Sequence, residues 1–97
     1  MQPEARLVKK VQDYIGGVGG RSFKIHGEDT FQEVGIPDLL VCYKGYFVGL
    51  EVKQPGGRVS PRQHKVLQEI DTAGGISAVV STLEQVVDLL AKLDRKR

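Results

Sequence analysis

Two acids and a lysine stand where neutral side chains are expected. In the segment GIPDLLVCYKGYFVGLEVK, residues 35–53, Asp38, Glu51 and Lys53 border apolar runs typical of inner strands. Carboxylate oxygens are the ligands that hard ions such as Mg²⁺ and Mn²⁺ prefer, and no cluster of Cys or His competes for that role. A lysine beside such an ion can stabilise the charge that develops on a phosphate under attack. These residue types favour metal-dependent phosphoryl chemistry.

A hairpin turn would bring the two acids together. The runs on either side of Lys44 and Gly45 predict two antiparallel strands joined by a two-residue loop. Asp38 then lies opposite Glu51, on one face of the sheet, with the two Cβ atoms roughly 4.5–5.5 Å apart. Two carboxylates at that separation repel unless a proton or a cation lies between them. A bulge at Gly45 or Gly49 would shift this register by one residue.

A simpler interpretation needs no metal. Asp38 would follow Pro37 in a turn, and Glu51 with Lys53 would form a solvated salt pair on one face of a strand. The inner-strand character of both runs, together with the hairpin geometry, favours a divalent-metal site instead. Mg²⁺ is typically held by one or two carboxylates and completed by water and substrate phosphate.

The rest of the chain supplies helices and strands to position these residues. Helices are predicted over residues 3–15, 61–73 and 83–93, and strands over residues 21–26, 36–43, 46–53 and 76–80. The resulting order, α-β-β-β-α-β-α, predicts an α/β fold in which one four-stranded mixed sheet is flanked by helices.

Finer details of these elements are also predicted. Phe23 and Ile25 should form the buried face of the first strand, Cys42 should be a core residue, and residues 76–80 should form a buried strand. Ser60 and Gln63 have the spacing of a capping box at the start of the second helix.

Composition places limits on the class of protein. The 97 residues fit one domain, 1–97, and 40% hydrophobic with 27% charged residues is ordinary for a folded chain. A single cysteine forms no intramolecular disulfide, which favours a reducing compartment. The same count excludes a zinc finger. Without an apolar run of roughly 18 residues, and with charges in the N-terminal stretch where a signal peptide needs apolar residues, we expect a cytoplasmic protein.

The motif series resembles a known family. Pro37-Asp38 followed by Glu51-Val52-Lys53 is similar to the PD-(D/E)xK nuclease signature. GIPDLLV, GLEVK and GGRVSPRQ, preceded by Glu4 in the first helix, narrow the resemblance to the VRR-NUC family of virus-type replication and repair nucleases. It covers nearly the whole chain and implies a restriction-endonuclease-like core.

The resemblance also implies roles for individual residues. Asp38, Glu51 and the main-chain carbonyl of Val52 would bind Mg²⁺ or Mn²⁺, and Lys53 would be the catalytic lysine. Glu4 would be a further acid that reaches the metal directly or through water.

The resemblance also implies that Gln63 helps to orient the site. The helical positions of Glu4 and Gln63 bear on their roles independently of the resemblance. Glu4 precedes Leu7 and Val8 by helical spacing and so lies on the predicted core-facing stripe, although it is equally a favourable first-turn charge. Gln63 shares a helical face with Val66, Leu67 and Ile70, and a capping box with Ser60 is compatible with a role in the site.

The expected function is that of a Mg²⁺- or Mn²⁺-dependent DNA endonuclease. The resemblance implies an enzyme of a bacterium or a phage-infected host cell that is selective for branched DNA, such as a four-way Holliday junction, in replication, recombination or repair. A homodimer is expected partly from the resemblance and partly from the small size of the domain. A non-catalytic nucleic-acid-binding or scaffold module on the same fold is the alternative. Six scattered cations are candidates for phosphate contacts, although such residues are usually solvated: Lys9, Lys10, Arg21, Lys24, Arg58 and Arg62.

Overall fold

Three helices and four strands make up the part of the chain that the computed structural model describes, residues 2–25 and 33–96. They are α1 (Pro3–Gly17), β1 (Arg21–Lys24), β2 (Leu39–Tyr43), β3 (Tyr46–Val52), α2 (Pro61–Thr72), β4 (Ile76–Val80) and α3 (Leu83–Lys96). The predicted element order is confirmed. Residues 26–32, which include His26 at the predicted end of the first strand, lie outside the described residues.

The sheet is mixed, as predicted, with strand order β1-β2-β3-β4. The first three strands are antiparallel and β4 runs parallel to β3. Lys44 and Gly45 form the hairpin turn with φ of 48° and 88°, the positive values that a two-residue turn of this kind requires. Pairing runs without a bulge from Tyr43 opposite Tyr46 to Leu39 opposite Leu50, which confirms the predicted register along β2 and β3.

One face of the sheet forms the hydrophobic core with α1 and α3. Side chains alternate along a strand, so Val48, Leu50 and Val52 point to the same face of β3, and all three are buried. Their partners come from β2, β4 and the apolar stripes of the two helices: Leu39, Val41, Val80, Val8, Val11, Ile15, Val86, Leu90 and Leu93. The opposite face therefore carries the intervening residues, among them Gly49 and Glu51.

The prediction that Phe23 and Cys42 are core residues is wrong. Ser22 is buried and pairs with Val41 on the core face, so Phe23, the next residue, points to the opposite face and is 52% exposed. The guanidinium of Arg21 lies over the ring of Phe23, with its Cζ atom 4.3 Å from the ring centroid. Cys42 is exposed because it pairs with Arg21 on that same face.

The prediction that β4 is a buried strand is also wrong. It lies at the edge of the sheet, most of its residues are only partly buried, and Val79 is exposed. Its apolar composition reflects the half that packs against the core. The predicted helix starts are better preserved: α2 begins at Pro61, with Ser60 as its N-cap. No helix within residues 2–25 and 33–96 is long and apolar enough to cross a membrane.

Candidate active site

The GIPD segment is shaped by close contacts with α2 and β3. Gly35 has φ of 90°, and a Cβ there would lie 2.8 Å from Cγ and 3.0 Å from the carbonyl oxygen of Arg62. Pro37 is buried against Gly49, where an added Cβ would lie 3.1 Å from the proline ring. The chain therefore turns tightly under α2 and delivers Asp38 to the start of β2.

Asp38 is held by main-chain hydrogen bonds. The amide of Val52 donates to Oδ2 of Asp38 at 2.8 Å, and the amide of Ile25 donates to the Asp38 carbonyl oxygen at 2.9 Å. These bonds fasten the corner between β1 and β3. The pairing of β2 with β3 ends at Leu39 opposite Leu50, so Asp38 and Glu51 are the next residues beyond it, and their side chains are joined by a hydrogen bond.

Glu51 is a buried acid whose carboxyl group is only half satisfied. Its side chain is 1% exposed, and Oε2 has no hydrogen-bond partner among residues 2–25 and 33–96. Burial, a hydrogen bond with Asp38 and the negative charge of Asp38 raise the pKa of Glu51 from 4.5 to about 8. Lys53 acts in the opposite direction, and Glu4 adds to the rise. At neutral pH, without a cation, Glu51 therefore holds a proton.

The structure brings Glu4 and Lys53 into electrostatic range of Glu51. Lys53 is half-buried, and its amide donates to the carbonyl oxygen of Val80 at 3.0 Å, which fixes the end of β3 against β4. Glu4 lies in the first turn of α1 and is exposed, so the prediction that it faces the core is wrong. The buried residues of α1 begin at Val8, so Glu4, in the first turn, lies before the part of the helix that packs against the core.

The donor set of this site fits a hard divalent ion. Among the described residues, no three or more His, Cys, Asp and Glu side chains are grouped so that they could hold a metal, which leaves a pair of carboxylates, Asp38 and Glu51. The amide of Val52 points toward Asp38, and in an extended strand the carbonyl of the same residue points to the same side. Oxygen donors and an unsatisfied buried carboxylate suit Mg²⁺ or Mn²⁺.

Gln63 has the structural role that its spacing predicted. Its Oε1 accepts a hydrogen bond from the Ser60 amide at 2.9 Å, and its own amide donates to the Ser60 hydroxyl at 3.1 Å. This capping box orients the start of α2, the helix that supports the GIPD corner. A direct role of Gln63 in the site stays a prediction.

Three of the cations predicted to contact DNA have partners within the protein. Arg62 binds Glu33 at 3.6 Å and the Val34 carbonyl at 3.1 Å, Arg21 binds the Ser22 carbonyl at 2.6 Å, and Lys9 lies 3.7 Å from Asp13. The other three form no ion pair within residues 2–25 and 33–96: Lys10, Lys24 and Arg58. Contact with DNA stays a prediction for all six.

Sequence reasoning assigned no role to Gly35 and Gly49, although both shape the site. A signal was available for each of them. A glycine inside an apolar strand marks the close approach of another group, and a glycine just before Pro-Asp marks a constrained turn. What the sequence did not reveal is that α2 is the element that approaches both glycines.

Comparison with known proteins agrees with this geometry. No family model and no curated protein matches the chain. One solved structure, described as a VRR_NUC domain, superposes with a TM-score of 0.78 at 27% identity and covers 94% of this chain and 97% of its own. A second, described as a VRR_NUC domain protein, has a TM-score of 0.72 at 16% identity over 91% of this chain and 84% of its own, and shows the fold alone.

The predicted fold class is thus found both in the structure and in its solved neighbours. The residues of the PD-(D/E)xK series lie close together in the structure, at the start of β2 and the adjoining end of β3. Together, the motif series and the likeness to the 27% identical VRR_NUC domain support the assignment of this chain to the VRR-NUC family of nuclease domains.

Proposed function

We propose that the protein is a Mg²⁺- or Mn²⁺-dependent endonuclease that hydrolyses phosphodiester bonds of DNA. The observation that carries the proposal is the state of Glu51, a buried acid against Asp38 whose Oε2 has no hydrogen-bond partner in the described part of the chain. Buried polar atoms are almost always hydrogen-bonded, so an unsatisfied carboxylate oxygen indicates a ligand outside the protein. Lys53, two residues along the same face, completes the set of groups that phosphodiester hydrolysis needs.

Asp38 and Glu51 would hold the ion, together with the carbonyl of Val52. When bound, a divalent ion supplies Lewis-acid polarisation of the phosphate and a more acidic attacking water. The protein's own part is to keep the two acids fixed. The amide of Val52 orients Asp38, and the packed sheet excludes water from behind Glu51.

Lys53 would act on the phosphate itself. Its ammonium is a compact point charge that can stabilise negative charge as the oxygen of water attacks phosphorus and the bond to the 3′-oxygen breaks. The products are a 5′-phosphate and a 3′-hydroxyl, a polarity taken from the family resemblance. Glu4, exposed at the start of α1, would reach the site directly or through water.

The proposal extends to branched DNA as the substrate and a homodimer as the active form. A chain of 97 residues offers little surface to hold a branched duplex. A two-fold dimer presents two equivalent sites and can cut symmetric strands of a four-way junction. Replication, recombination or repair would be the setting of such an activity, and 1–97 would act as one nuclease domain.

Cleavage of a defined substrate panel tests the proposal. Labelled four-way junction, flap, nicked and single-stranded DNA are incubated with Mg²⁺, Mn²⁺ or EDTA. We expect metal-dependent cleavage that falls by at least about a hundredfold in Glu51→Gln and Lys53→Met. Glu69→Gln, which neutralises an exposed acid on α2, is the matched control and should cleave like wild type. If wild type cuts none of these substrates with either metal, the protein is not this enzyme.

A non-catalytic nucleic-acid-binding or scaffold module is the second candidate. The observation that favours it is the hydrogen bond from Val52 to Asp38, which gives that acid a structural reason to be present. This candidate predicts DNA binding that is independent of metal and unchanged in Glu51→Gln, with no cleavage. Binding and cleavage measured on the same samples separate the two candidates.

A further inference from the structure

A groove of about 310 Å³ opens beside the candidate active site. One wall is the first two turns of α1, with Glu4, Arg6 and Lys10, and the other consists of Gln54 and Ser81. Gln54 follows β3 and Ser81 follows β4, and because these strands are parallel their ends meet at the same edge of the sheet. The topology therefore makes one groove from three separate parts of the chain.

Two cations, Arg6 and Lys10, and one acid, Glu4, line the groove. Arg6 and Lys10 are exposed, lie four residues apart on one face of α1, and form no ion pair with any described residue. Like charges at this spacing repel. On the neighbouring face of the same helix, Lys9 does have a partner at the same spacing, Asp13 at 3.7 Å. The unpaired cations fit an anion from outside the protein.

Two residues that line the groove connect it with the candidate active site. Glu4 lines it and is also close enough to Glu51 to affect its charge. Gln54 lines it and follows Lys53 directly in the chain. An anion in the groove would therefore be a near neighbour of a phosphate held at the site.

We propose that this groove binds a DNA backbone phosphate adjacent to the scissile phosphate, with Arg6 and Lys10 as its two cationic contacts. The inference rests on the proposed function and adds to it a phosphate subsite. Arginine can bind a phosphate through two parallel hydrogen bonds, lysine adds a point charge, and Gln54 and Ser81 offer neutral donors. Phosphate contacts position a duplex without reading its bases, so this subsite contributes affinity and register independently of sequence.

Binding to a junction in Ca²⁺ buffer, without cleavage, tests the charges of the groove. We expect the double variant Arg6→Gln/Lys10→Gln to bind at least about tenfold more weakly than wild type. The slope of log binding constant against log salt concentration should also be shallower by about one to two. Both side chains are exposed, so the fold should survive, which thermal unfolding checks. The swapped variant Arg6→Lys/Lys10→Arg keeps both charges and should retain most of the affinity.

The matched control removes one arginine and one lysine far from the groove. Lys92→Gln/Arg95→Gln changes net charge equally. Arg95 lies near the end of α3, about 18 Å along the helix from its first residue, Leu83. Leu83 in turn lies two residues after Ser81, which lines the groove. We expect a loss below about threefold from its long-range charge alone. Equal losses in the two double variants, or none in Arg6→Gln/Lys10→Gln, would overturn the subsite.

Single neutral linkages locate the phosphate. Methylphosphonates are placed one at a time around the cleavage position, and their effects are measured in wild type and in Arg6→Gln/Lys10→Gln. One linkage next to the scissile phosphate should weaken wild type by about tenfold and leave the variant unchanged, because the contact is already lost. If every linkage affects both proteins equally, the groove does not contact a backbone phosphate.

Failure of the subsite and failure of the proposed function give different results. If wild type binds and cleaves DNA while the groove variant matches it, only the subsite is refuted. If wild type binds DNA in the manner described but cleaves nothing with Mg²⁺ or Mn²⁺, the nuclease proposal falls and the groove remains a phosphate site. If wild type binds no DNA, both fall.

Discussion

Replacing Glu51 by glutamine should make the protein more stable at alkaline pH and remove a pH dependence that wild type has. Glutamine has nearly the shape of a protonated glutamate, and its amide can donate to Asp38 as the protonated acid does. Unlike glutamate, it never carries a negative charge into the buried position that Glu51 occupies. The substitution thus isolates the cost of ionising one buried group.

The sign follows from the direction of the pKa shift. The pKa of Glu51 is raised from 4.5 to about 8 in the folded protein. Between these values the native state holds one more proton than the unfolded state, so the free energy of unfolding falls as pH rises. Above the folded pKa both states are ionised at this residue, and the dependence ends. In Glu51→Gln this contribution is absent throughout.

The magnitude can be worked from the same values. With one extra proton in the native state, each pH unit well below the folded pKa of Glu51 changes stability by about 1.4 kcal/mol. From about pH 6 to about pH 8, wild type should lose about 2 kcal/mol relative to Glu51→Gln. For a chain of 97 residues this is roughly 10 °C in melting temperature.

Urea and thermal unfolding in EDTA across this pH range measure the difference. Other groups also titrate, so the quantity compared is the difference between wild type and variant at each pH. Glu69→Gln, at an exposed acid, is the control and should run parallel to wild type. If Glu51→Gln also runs parallel to wild type, Glu51 is not a buried acid with a raised pKa, and the structural basis of the candidate metal site is wrong.

Three further predictions concern the site and its supports. Calorimetry should find Mg²⁺ binding about tenfold tighter per pH unit from about pH 6 to 8, because the ion displaces the proton of Glu51; a flat profile would contradict this. Gly35→Ala should cost about 1–3 kcal/mol in urea unfolding, because alanine is strained at φ of 90° and would crowd Arg62; a neutral result would show that the corner relaxes. Ser60→Ala should cost about 1 kcal/mol in the same assay by removing the capping-box acceptor, and an unchanged midpoint would mean that Gln63 alone suffices.

The pairing of Asp38 with Glu51 could be predicted because its determinants are local. A two-residue turn at Lys44 and Gly45 sets the register, and each further pair follows by counting along two strands. The start of α2 was predictable for the same reason, since the capping box lies within four residues.

The exposure of side chains was harder to predict because it depends on which elements cover each face. Phe23 is as hydrophobic as a core residue, but β1 is an edge strand and the core face falls on Ser22. Cys42, on the inner strand β2, is exposed because it lies beside Arg21 on the face of the sheet opposite the core. Glu4 was placed on the core-facing stripe by its spacing, yet it lies in the first turn of α1 and is exposed. These outcomes depend on tertiary packing, which periodicity does not contain.

The distribution of charge along α1 connects the site with the groove beside it. Near Glu51 lie two further acids, Asp38 and Glu4, and one cation, Lys53. With all four groups ionised, three negative charges and one positive charge leave two negative charges, the number that one divalent ion neutralises. The pKa of Glu51 remains raised in the presence of Lys53, because burial, the largest cause, and the two neighbouring acids outweigh the effect of the lysine.

Arg6 lies a little over half a turn after Glu4 along α1, and Lys10 lies about one and two-thirds turns after it. These two cations reverse the sign of the surface charge. A DNA strand with one phosphate at the acids and their ion, and the next at these cations, would be matched in charge at both positions. The same helix would then hold the strand so that Lys53 meets a phosphodiester bond. Loss of Arg6 and Lys10 should therefore blur the cleavage position as well as weaken binding, which sequencing of the cut ends would reveal.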